Sequence, residues 1–318
     1  QGLYPPGSTV KPAVALALLK HGVDPDETVF CGGGYRLGNR VFKCLGRHGS
    51  INMPDAIKKS CNTYFYAMGR RIGYDNIAPV AKMLGLGQEF PLPFPSQRYG
   101  TVPHSKWKKK QYDPAWTDSD TLNATIGQGY LSVSPFQLAI MSARIASGLN
   151  IQPEILLKKR KPALALPFPA EHLAVVRDGM DRVVNAGGTG AGSKLPLPDI
   201  AMAGKTGTAQ VRRIAGSQRG QSGEWKYRDH GLFVCYAPTV NPRYGASVVI
   251  EHGLGGARAA APIAKDVLTF LYDREKAMAS LEALEAGWGG TIEQRMAAQF
   301  AAFQGRADAP AVPTEPKT

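Results

Sequence analysis

Long apolar runs and acidic residues are what this sequence has little of. No apolar stretch approaches the about 18 residues that a membrane-spanning helix needs, so none is predicted within these 318 residues. Acidic residues number 25 against 38 basic ones, which gives a formal net charge of +13. A basic surface favours an anionic partner. Since no nucleic-acid-binding motif is present, we expect no nucleic acid. The basic clusters fit a solvated surface, and the alternative is attraction to an anionic membrane or wall polymer.

Apolar residues make up 43% of the chain, enough to bury a large core in one sizeable domain or two small ones. Apolar periodicity predicts helices over residues 8–20, 52–59, 63–72, 77–84, 136–145, 170–184 and 262–272. Frequent prolines and weak periodicity predict a long surface excursion over 85–120. Strand-like runs at 201–211, 231–237 and 244–251 predict an antiparallel meander, so the predicted fold class is α+β.

The first motif is a Ser-x-x-Lys pair, Ser8 and Lys11, at the start of a predicted buried helix. Pro12 is tolerated only in the first turn of a helix, so this helix begins near Ser8. Ser8 and Lys11 then lie on one face, close enough to exchange a proton, and Ser8 is at the positive end of the helix dipole. The pattern makes Ser8 a candidate nucleophile and Lys11 its base.

The second motif is a Ser-x-Asn pair, Ser60 and Asn62. Side chains two positions apart point about 200° apart around a helix. The pair can therefore work only from a break between two helices, where the hydroxyl and the amide can face one cleft.

Both motifs occur a second time, and the second copies have simpler explanations. Asn52 of Ser50-Ile51-Asn52 is a good helix cap. Ser105 and Lys108 form another Ser-x-x-Lys, but in a polar, lysine-rich stretch with no apolar helix behind it. We therefore favour Ser8 and Ser60.

The third motif, Lys205-Thr206-Gly207-Thr208, occurs once, on the first predicted strand. Gly207 lets a ligand backbone approach closely, Lys205 supplies charge, and the hydroxyls of Thr206 and Thr208 can hold a carboxylate. If this strand lies at a sheet edge, an extended peptide can pair with it. Taken alone, the motif also fits a lysine and threonines on an exposed strand.

In this order, Ser-x-x-Lys, Ser-x-Asn and Lys-Thr-Gly resemble the motif set of penicillin-binding proteins and serine β-lactamases. Residues 4–12, 60–66, 127–130 and 205–210 resemble the transpeptidase domain of class B penicillin-binding proteins, above all the penicillin-binding protein 2 group. The resemblance covers residues 2–272. It implies the penicillin-binding transpeptidase fold, an antiparallel sheet flanked by helices with an all-helical region.

The resemblance implies a peptidoglycan D,D-transpeptidase of cell elongation, with no cofactor in catalysis. A D-Ala-D-Ala stem peptide would acylate Ser8, D-Ala would leave, and an amine of a neighbouring stem peptide would take the acyl group. Lys11 would be the base, its pKa lowered by burial and by the charge of Lys205. Backbone N–H groups of Ser8 and Thr208 would form the oxyanion hole. A β-lactam would mimic the donor and stay attached.

The resemblance also assigns the remaining motif residues. Ser60 and Asn62 would relay protons and hold the amide of the acyl donor. The terminal carboxylate of the donor peptide would be bound by Lys205, Thr206 and Thr208.

The resemblance predicts a transpeptidase domain over 1–274 that lacks the family's N-terminal strand and helix. Alanine-rich composition predicts a helical extension over 275–306, and the Pro/Ala/Thr-rich end predicts a disordered tail over 307–318. We expect the chain to be the C-terminal part of a longer protein, anchored upstream in the bacterial inner membrane with its catalytic domain in the periplasm. Expected partners are stem peptides, β-lactams, a lipid-II polymerase and scaffold proteins of the elongation machinery.

Four cysteines are present, and Cys235 is predicted to be buried in a strand. Cys31, Cys44 and Cys61 form, with His48, the pattern Cys-x12-Cys-x3-His-x12-Cys, which fits tetrahedral zinc. Some penicillin-binding protein 2 enzymes are similar in this region, where their side chains hold a structural metal. The alternative is a Cys31–Cys44 disulfide in an oxidising compartment. A zinc ion would be structural and would fix the Ser-x-Asn motif, which contains Cys61.

Three other functions remain open at the level of sequence. A serine β-lactamase or D,D-carboxypeptidase would share the fold, but no Glu-x-x-x-Asn of the kind that hydrolyses the acyl-enzyme in class A β-lactamases is found. A β-lactam-sensing receptor domain would be acylated without transferring the acyl group. A noncatalytic wall-binding module would not need Ser8.

Overall fold

The computed structural model describes residues 2–93, 97–156, 162–211 and 224–307. It contains two compact units, residues 1–265 and 266–318. Among the described residues, no helix is both long and apolar enough to cross a bilayer. The predicted tail lies outside the described residues from 308 onward, and the predicted domain boundary at 274 stays a prediction.

The first unit is α+β, as predicted. Its described helices are α1 (Lys11–Lys20), α2 (Met53–Lys58), α3 (Asn62–Ile72), α4 (Tyr74–Met83), α5 (Ser105–Tyr112), α6 (Asp118–Thr125), α7 (Pro135–Ser147), α8 (Ala170–Asn185) and α9 (Gly256–Ala259). Its described strands are β1 (Val29–Cys31), β2 (Gly34–Leu37), β3 (Arg40–Lys43), β4 (Gly49–Ile51), β5 (Ala203–Ala209), β6 (His230–Ala237) and β7 (Tyr244–Ile250).

The predicted meander is an antiparallel sheet in the order β5-β6-β7. Lys205 on β5 lies opposite Val234, and Gly231 at the start of β6 lies opposite Ile250. Every residue of β6 except the first is buried, as expected for a central strand. Helix α8 packs against β5, and α7 packs against β6 and β7. Strand β5 is at one edge of this sheet, so the third motif lies on an edge strand.

The glycine-rich segment 22–49 and the two residues after it form two small antiparallel ladders, β1 with β4 and β2 with β3. The turn between β2 and β3 contains Gly38, whose φ is 54°, a left-handed conformation that favours glycine. Cys31 ends β1, and Cys44 directly follows β3. The ladders therefore carry two of the predicted metal ligands.

Capping residues set the helix boundaries that the sequence predicted well. The Asn52 side chain accepts a hydrogen bond from the N–H of Asp55 at 3.3 Å and so caps α2. Ser134 and Gln137 form a reciprocal capping box at the start of α7, and left-handed Gly148 ends that helix. Such caps satisfy donors that the first turn leaves unpaired.

The predicted surface excursion over 85–120 was wrong in its second half, which contains α5 and the start of α6. The His104 side chain caps α5 by accepting from the N–H of Trp107, and Thr117 forms a capping box with Asp120 at the start of α6. A buried ion pair between Lys108 and Asp120, 2.6 Å long, joins the two helices. Caps and an ion pair define these helices, and apolar periodicity could not predict them.

Helix α10 (Ala261–Tyr272) runs from the first unit into the second, which also contains α11 (Arg274–Gly287) and α12 (Ile292–Ala307). The sequence predicted one helical extension over 275–306, whereas the structure has two helices. Gly289 and Gly290, with φ of 94° and 102°, lie between α11 and α12, and this backbone conformation ends a helix.

Helix α1 is the buried centre of the helical region. All of its residues except Lys20 are buried, and it packs against α3, α4 and α8. Nearby, the buried Arg144 donates to the carbonyls of Met83 at 2.8 Å and Ile151 at 3.0 Å, which joins α7 to the end of α4. The helix that begins beside Ser8 is thus surrounded by packed elements.

Candidate active site

Ser8 lies in a 3-10 turn that leads directly into α1. The φ of Gly7 is 53°, and its N–H donates to the carbonyl of Gly127 at 2.9 Å. The hydroxyl of Thr9 donates to the carbonyl of Pro6 at 2.7 Å. These bonds hold the backbone on both sides of Ser8, whose side chain is partly exposed and lines a cleft.

Lys11, in the first turn of α1, is fully buried. Its Nζ donates to the carbonyl oxygen of Ser60 at 2.7 Å, to the Ser60 hydroxyl at 3.1 Å and to Oδ1 of Asn62 at 2.7 Å. Burial lowers the pKa of Lys11 to about 7, against the opposing effect of negative charge at Cys44 and Cys61. An amine with this pKa can accept a proton near neutral pH.

Of the three hydrogen-bond partners of Lys11, only the Ser60 hydroxyl can also donate, because carbonyl and amide oxygens only accept. When Lys11 is neutral, its lone pair can receive a hydrogen bond from Ser60 while the other two contacts persist. The site therefore accommodates both protonation states of Lys11 without rearrangement.

Ser60 lies in the break between α2 and α3, as the Ser-x-Asn motif requires. Its N–H donates to the carbonyl of Ile57 at 3.2 Å, and the N–H of Cys61 donates to that of Ala56 at 2.9 Å. This is a Schellman helix end, whose left-handed position is usually glycine. The φ of Ser60 is 55°, which costs about 1–3 kcal/mol for a residue with a side chain. The strained backbone brings the Ser60 hydroxyl to Lys11.

The third motif runs along β5 beside the Ser8 turn. Lys205 is fully buried, and its Nζ donates to the carbonyl of Thr206 at 3.0 Å. Burial, and then the charge of Lys11, hold the pKa of Lys205 well below its usual value. Oγ1 of Thr206 is 2.6 Å from Oγ1 of Thr189, and Thr208 is exposed.

Gly207 sets the distance between β5 and the Ser8 turn. A Cβ atom at this position would lie 2.6 Å from the methyl group of Thr9 and 3.1 Å from the carbonyl of Pro6. Only glycine therefore permits this close approach, and the need for Gly207 comes from the protein's own packing.

All three motifs meet at one open cleft of about 760 Å³. Its lining residues include Ser8, Ser60, Asn62, Thr206 and Thr208. Lys11 and Lys205 lie behind this lining, fully buried. The structure thus unites every catalytic and substrate-binding residue that the sequence predicted.

The residues of the second motif copies make structural contacts of their own. The hydroxyl of Ser105 donates to the carboxylate of Asp75, and Lys108 forms its ion pair with Asp120. Asn52 caps α2. The structure therefore supports the preference for Ser8 and Ser60.

Cys31, Cys44, His48 and Cys61 form a cluster whose ligand atoms all lie within 4.8 Å of one another. The two Sγ atoms of Cys44 and Cys61 are 3.9 Å apart, and Nδ1 of His48 is 3.4 Å from Sγ of Cys31 and 3.6 Å from Sγ of Cys44. Tetrahedral zinc, with bonds of about 2.3 Å to sulfur and about 2.0 Å to nitrogen, separates its ligands by about 3.6–3.8 Å. The donor set and its spacing fit zinc.

This cysteine cluster is joined to the Ser-x-Asn motif. The N–H of Asn62 donates to Sγ of Cys44 at 3.2 Å. A hydrogen bond from Cys61 lowers the pKa of Cys44 and raises the pKa of Cys61, so the cluster favours a thiolate. None of the four cysteines, all of them described, forms a disulfide, and Cys235 is buried in β6 as predicted.

Several residues at the cleft had no role predicted from the sequence. Thr189 follows α8 and has no motif around it, yet its hydroxyl holds that of Thr206. Nε2 of Gln128 donates to the carbonyl of Thr208 at 3.2 Å. The signal for Gln128 was its position between two glycines, both with positive φ. Arg40 and Arg258 also line the cleft.

Comparison with known proteins identifies the family to which this chain belongs. A family model described as the penicillin binding protein transpeptidase domain matches residues 1–269. The chain belongs to this family. The peptidoglycan D,D-transpeptidase MrdA of Acinetobacter baumannii is 35% identical, over 87% of this chain and 44% of the relative.

Two solved structures are also similar. Penicillin-binding protein 2 of Helicobacter pylori, in complex with MreC, matches with a TM-score of 0.78 and 29% identity over 86% of this chain and 50% of that one. A peptidoglycan synthase complex, described as coordinating polymerization and crosslinking, matches with a TM-score of 0.69 and 29% identity over 84% of this chain and 46% of that one. The predicted family and transpeptidase fold are confirmed, and the chain spans about half the length of these relatives.

The packing at Gly207 yields a first prediction. Gly207→Ala is expected to lower the free energy of unfolding by about 1–3 kcal/mol, because its methyl group would overlap Thr9 and Pro6. Gly192→Ala is the matched control, since nothing lies within 4 Å of a Cβ atom there. Urea unfolding of both variants makes the comparison, and equal stability of the two would contradict the packing argument.

Proposed function

We propose that the chain is the catalytic part of a peptidoglycan D,D-transpeptidase that cross-links stem peptides during cell elongation. One observation carries this proposal: Ser8, Ser60 and Thr208 share one cleft, and the buried amine of Lys11, with a pKa of about 7, contacts Ser60 from behind. One cleft thus holds a candidate nucleophile, a serine in contact with a buried base, and a candidate carboxylate-binding strand. The names of the matched relatives support the same activity.

In the proposed acylation, Oγ of Ser8 attacks the carbonyl carbon of the penultimate D-Ala of the donor. Neutral Lys11 takes the Ser8 proton. As the C–N bond breaks, the Ser60 hydroxyl donates its proton to the nitrogen of the leaving D-Ala and takes the proton held by Lys11 in its place, which leaves both groups as they began. Ser60 suits this role because it is the partner of Lys11 that can both accept and donate.

The proposed donor site uses β5 and Asn62. The terminal carboxylate binds at the hydroxyls of Thr206 and Thr208, with the positive potential of Lys205 behind them. Thr189 fixes the Thr206 hydroxyl in advance. One N–H of the Asn62 amide donates to the carbonyl of Lys43 at 3.2 Å, which leaves the second N–H for the donor's amide carbonyl.

The surroundings of the enzyme are part of the same proposal. An anchor upstream of these residues would hold the protein in the bacterial inner membrane, with this domain in the periplasm. Scaffold proteins and a lipid-II polymerase are the proposed partners, supported by the complex of the Helicobacter pylori relative with MreC and by the matched synthase complex. The net charge of +13 favours electrostatic attraction to an anionic membrane or polymer.

We also propose that Cys31, Cys44, His48 and Cys61 hold a structural zinc ion. Four protein ligands complete a tetrahedral shell, so the ion would have no open position for chemistry. Its effect would be mechanical, because Cys61 separates Ser60 from Asn62 in the chain. The bond from the N–H of Asn62 to Cys44 is the kind of outer contact that orients metal ligands.

Covalent labelling tests the nucleophile. Penicillin is expected to add one penicillin mass to the chain, and Ser8→Ala is expected to abolish the adduct. Ser105→Ala, in the other Ser-x-x-Lys copy, should keep it. Intact-protein mass spectrometry measures all three. A folded chain without an adduct, or an adduct on Ser8→Ala, would show that Ser8 is not the acylated serine.

The same adduct separates the proposed enzyme from its alternatives. A β-lactamase or carboxypeptidase would release the adduct quickly by hydrolysis. A β-lactam sensor would retain the adduct but would not transfer an acyl group from a peptide donor to an amine. A persistent adduct together with acyl transfer is the result expected of a transpeptidase.

The rate of acylation by penicillin is expected to rise with pH through about 7, because only neutral Lys11 can take the Ser8 proton. With a pKa of about 7, the neutral fraction is about one tenth at pH 6 and about nine tenths at pH 8. Lys11→Arg, which cannot lose its proton in this range, should be slower by about 10² or more. A rate independent of pH between 5.5 and 8 would exclude Lys11 as the base.

Metal analysis tests the zinc site. The chain is expected to bind about one zinc ion, and chelation should lower its thermal midpoint because the ion stabilises the folded state. Cys44→Ser should lose zinc, whereas Cys235→Ser, in the buried strand β6, should retain it. Full zinc content in Cys44→Ser would rule out the proposed ligand set.

A further inference from the structure

A second cleft, of about 530 Å³, adjoins the first one. Arg40, Asn123, Gln128 and Gln210 line both clefts, so the two clefts share a wall. Ser8 and β5 residues 206–208 line the first cleft only. The second cleft therefore lies beside the first and outside the proposed donor site.

Among the described residues that line the second cleft, Arg40 provides the uncompensated charge. The other charged side chain in its lining, Asp120, accepts a hydrogen bond from Lys108 at 2.6 Å and two from Thr117, through the N–H at 2.8 Å and the hydroxyl at 2.7 Å. The exposed Arg40 side chain has neither an ion pair nor a hydrogen bond within the part of the chain that the structure describes. The cleft therefore presents a positive charge to whatever enters it.

The guanidinium of Arg40 is held in place by stacking. Its central carbon is 4.6 Å from the centre of the Phe42 ring. Phe42 is buried, and its ring packs 5.8 Å from that of Tyr66. Stacking on an aromatic face leaves the N–H groups at the guanidinium edge available, and this edge matches a carboxylate.

We propose that Arg40 is a specificity-determining residue that binds a carboxylate of the acceptor peptide in the second cleft. This inference rests on the proposed function, in which the donor occupies the first cleft and β5. The acceptor amine must then reach the acyl carbon from another direction, and the second cleft meets the first at Arg40. A peptide that carries both a free amine and a carboxylate is the ligand class that this charge selects.

The acceptor acts in the second half of the reaction. Its amine nitrogen forms a new C–N bond to the acyl carbon, and the bond from that carbon to Oγ of Ser8 breaks. One amine proton ends on Oγ, which restores the serine. Arg40 exchanges no proton in this step; it places the amine by holding the carboxylate of the same molecule.

Two acceptors that differ in one group test the inference: a D-amino acid and its carboxamide, each offered to the acyl-enzyme formed from a D-alanyl thioester. The ratio of amide product to hydrolysis product, measured by mass spectrometry over a series of acceptor concentrations, reports acceptor capture by each acyl-enzyme. Arg40→Gln should raise the half-saturating concentration of the D-amino acid about tenfold, the effect of losing one charge-assisted contact. The half-saturating concentration of the carboxamide should be about the same for Arg40→Gln as for the unsubstituted chain.

Further variants sharpen the test. Arg40→Glu should weaken capture of the D-amino acid more than Arg40→Gln, and Arg40→Lys should retain part of it. Arg36→Gln is the matched control, because Arg36 is exposed on the partner strand of the same hairpin and lines neither cleft. It should behave like the unsubstituted chain.

The possible failures are distinguishable. If Arg40→Gln affects both acceptors equally or affects neither, the assignment of Arg40 is overturned while the transpeptidase function stands. If the unsubstituted chain forms no penicillin adduct, the proposed function fails and the inference fails with it. The adduct is measured on every variant, so a variant that does not fold is recognised, and Arg40→Lys then decides the question by its selectivity between the two acceptors.

Discussion

Burial of the Lys11 amine is the constraint on which the rest of the site depends. Removing a charged amine from water costs several kcal/mol unless acceptors replace the water, and here three oxygens of Ser60 and Asn62 do so. To bring a carbonyl, a hydroxyl and an amide to one atom, the chain must interrupt its helix between α2 and α3. That interruption turns through a left-handed residue, so the strain at Ser60 follows from the burial of Lys11.

The strained break is held from its other side by the cysteine cluster. Cys61 lies inside the break, and Cys44 accepts the N–H of Asn62. The small ladders of β1 to β4 bring Cys31 and Cys44 to this point, which gives a physical reason for an irregular, glycine-rich segment between two buried helices. The small ladders, which have no catalytic motif of their own, thus support the Ser-x-Asn motif through the cysteine cluster.

The sequence predicted those parts of the fold and site that depend on neighbours along the chain. The position of Pro12 predicted that Ser8 lies at the start of the buried helix α1, and apolar runs predicted the meander and most helices. Contacts between distant residues were not predictable: Thr189 meets Thr206 only because α8 packs against β5. Nor was the Schellman end at Ser60 visible, since its left-handed position lacks the glycine that usually marks it. Helix α5 is polar, and its ion pair forms only in the folded chain.

The two buried amines have an electrostatic relation that bears on the order of events. Lys11 and Lys205 are both fully buried, and the charge of Lys11 lowers the pKa of Lys205, so holding both protons at once is unfavourable. In the proposed reaction, a donor carboxylate arriving at β5 stabilises the protonated form of Lys205. By the same repulsion, a charged Lys205 disfavours a proton on Lys11. In the proposed reaction, binding of the donor would therefore favour a proton on Lys205 over one on Lys11, and Lys11 would be neutral when Ser8 needs a base.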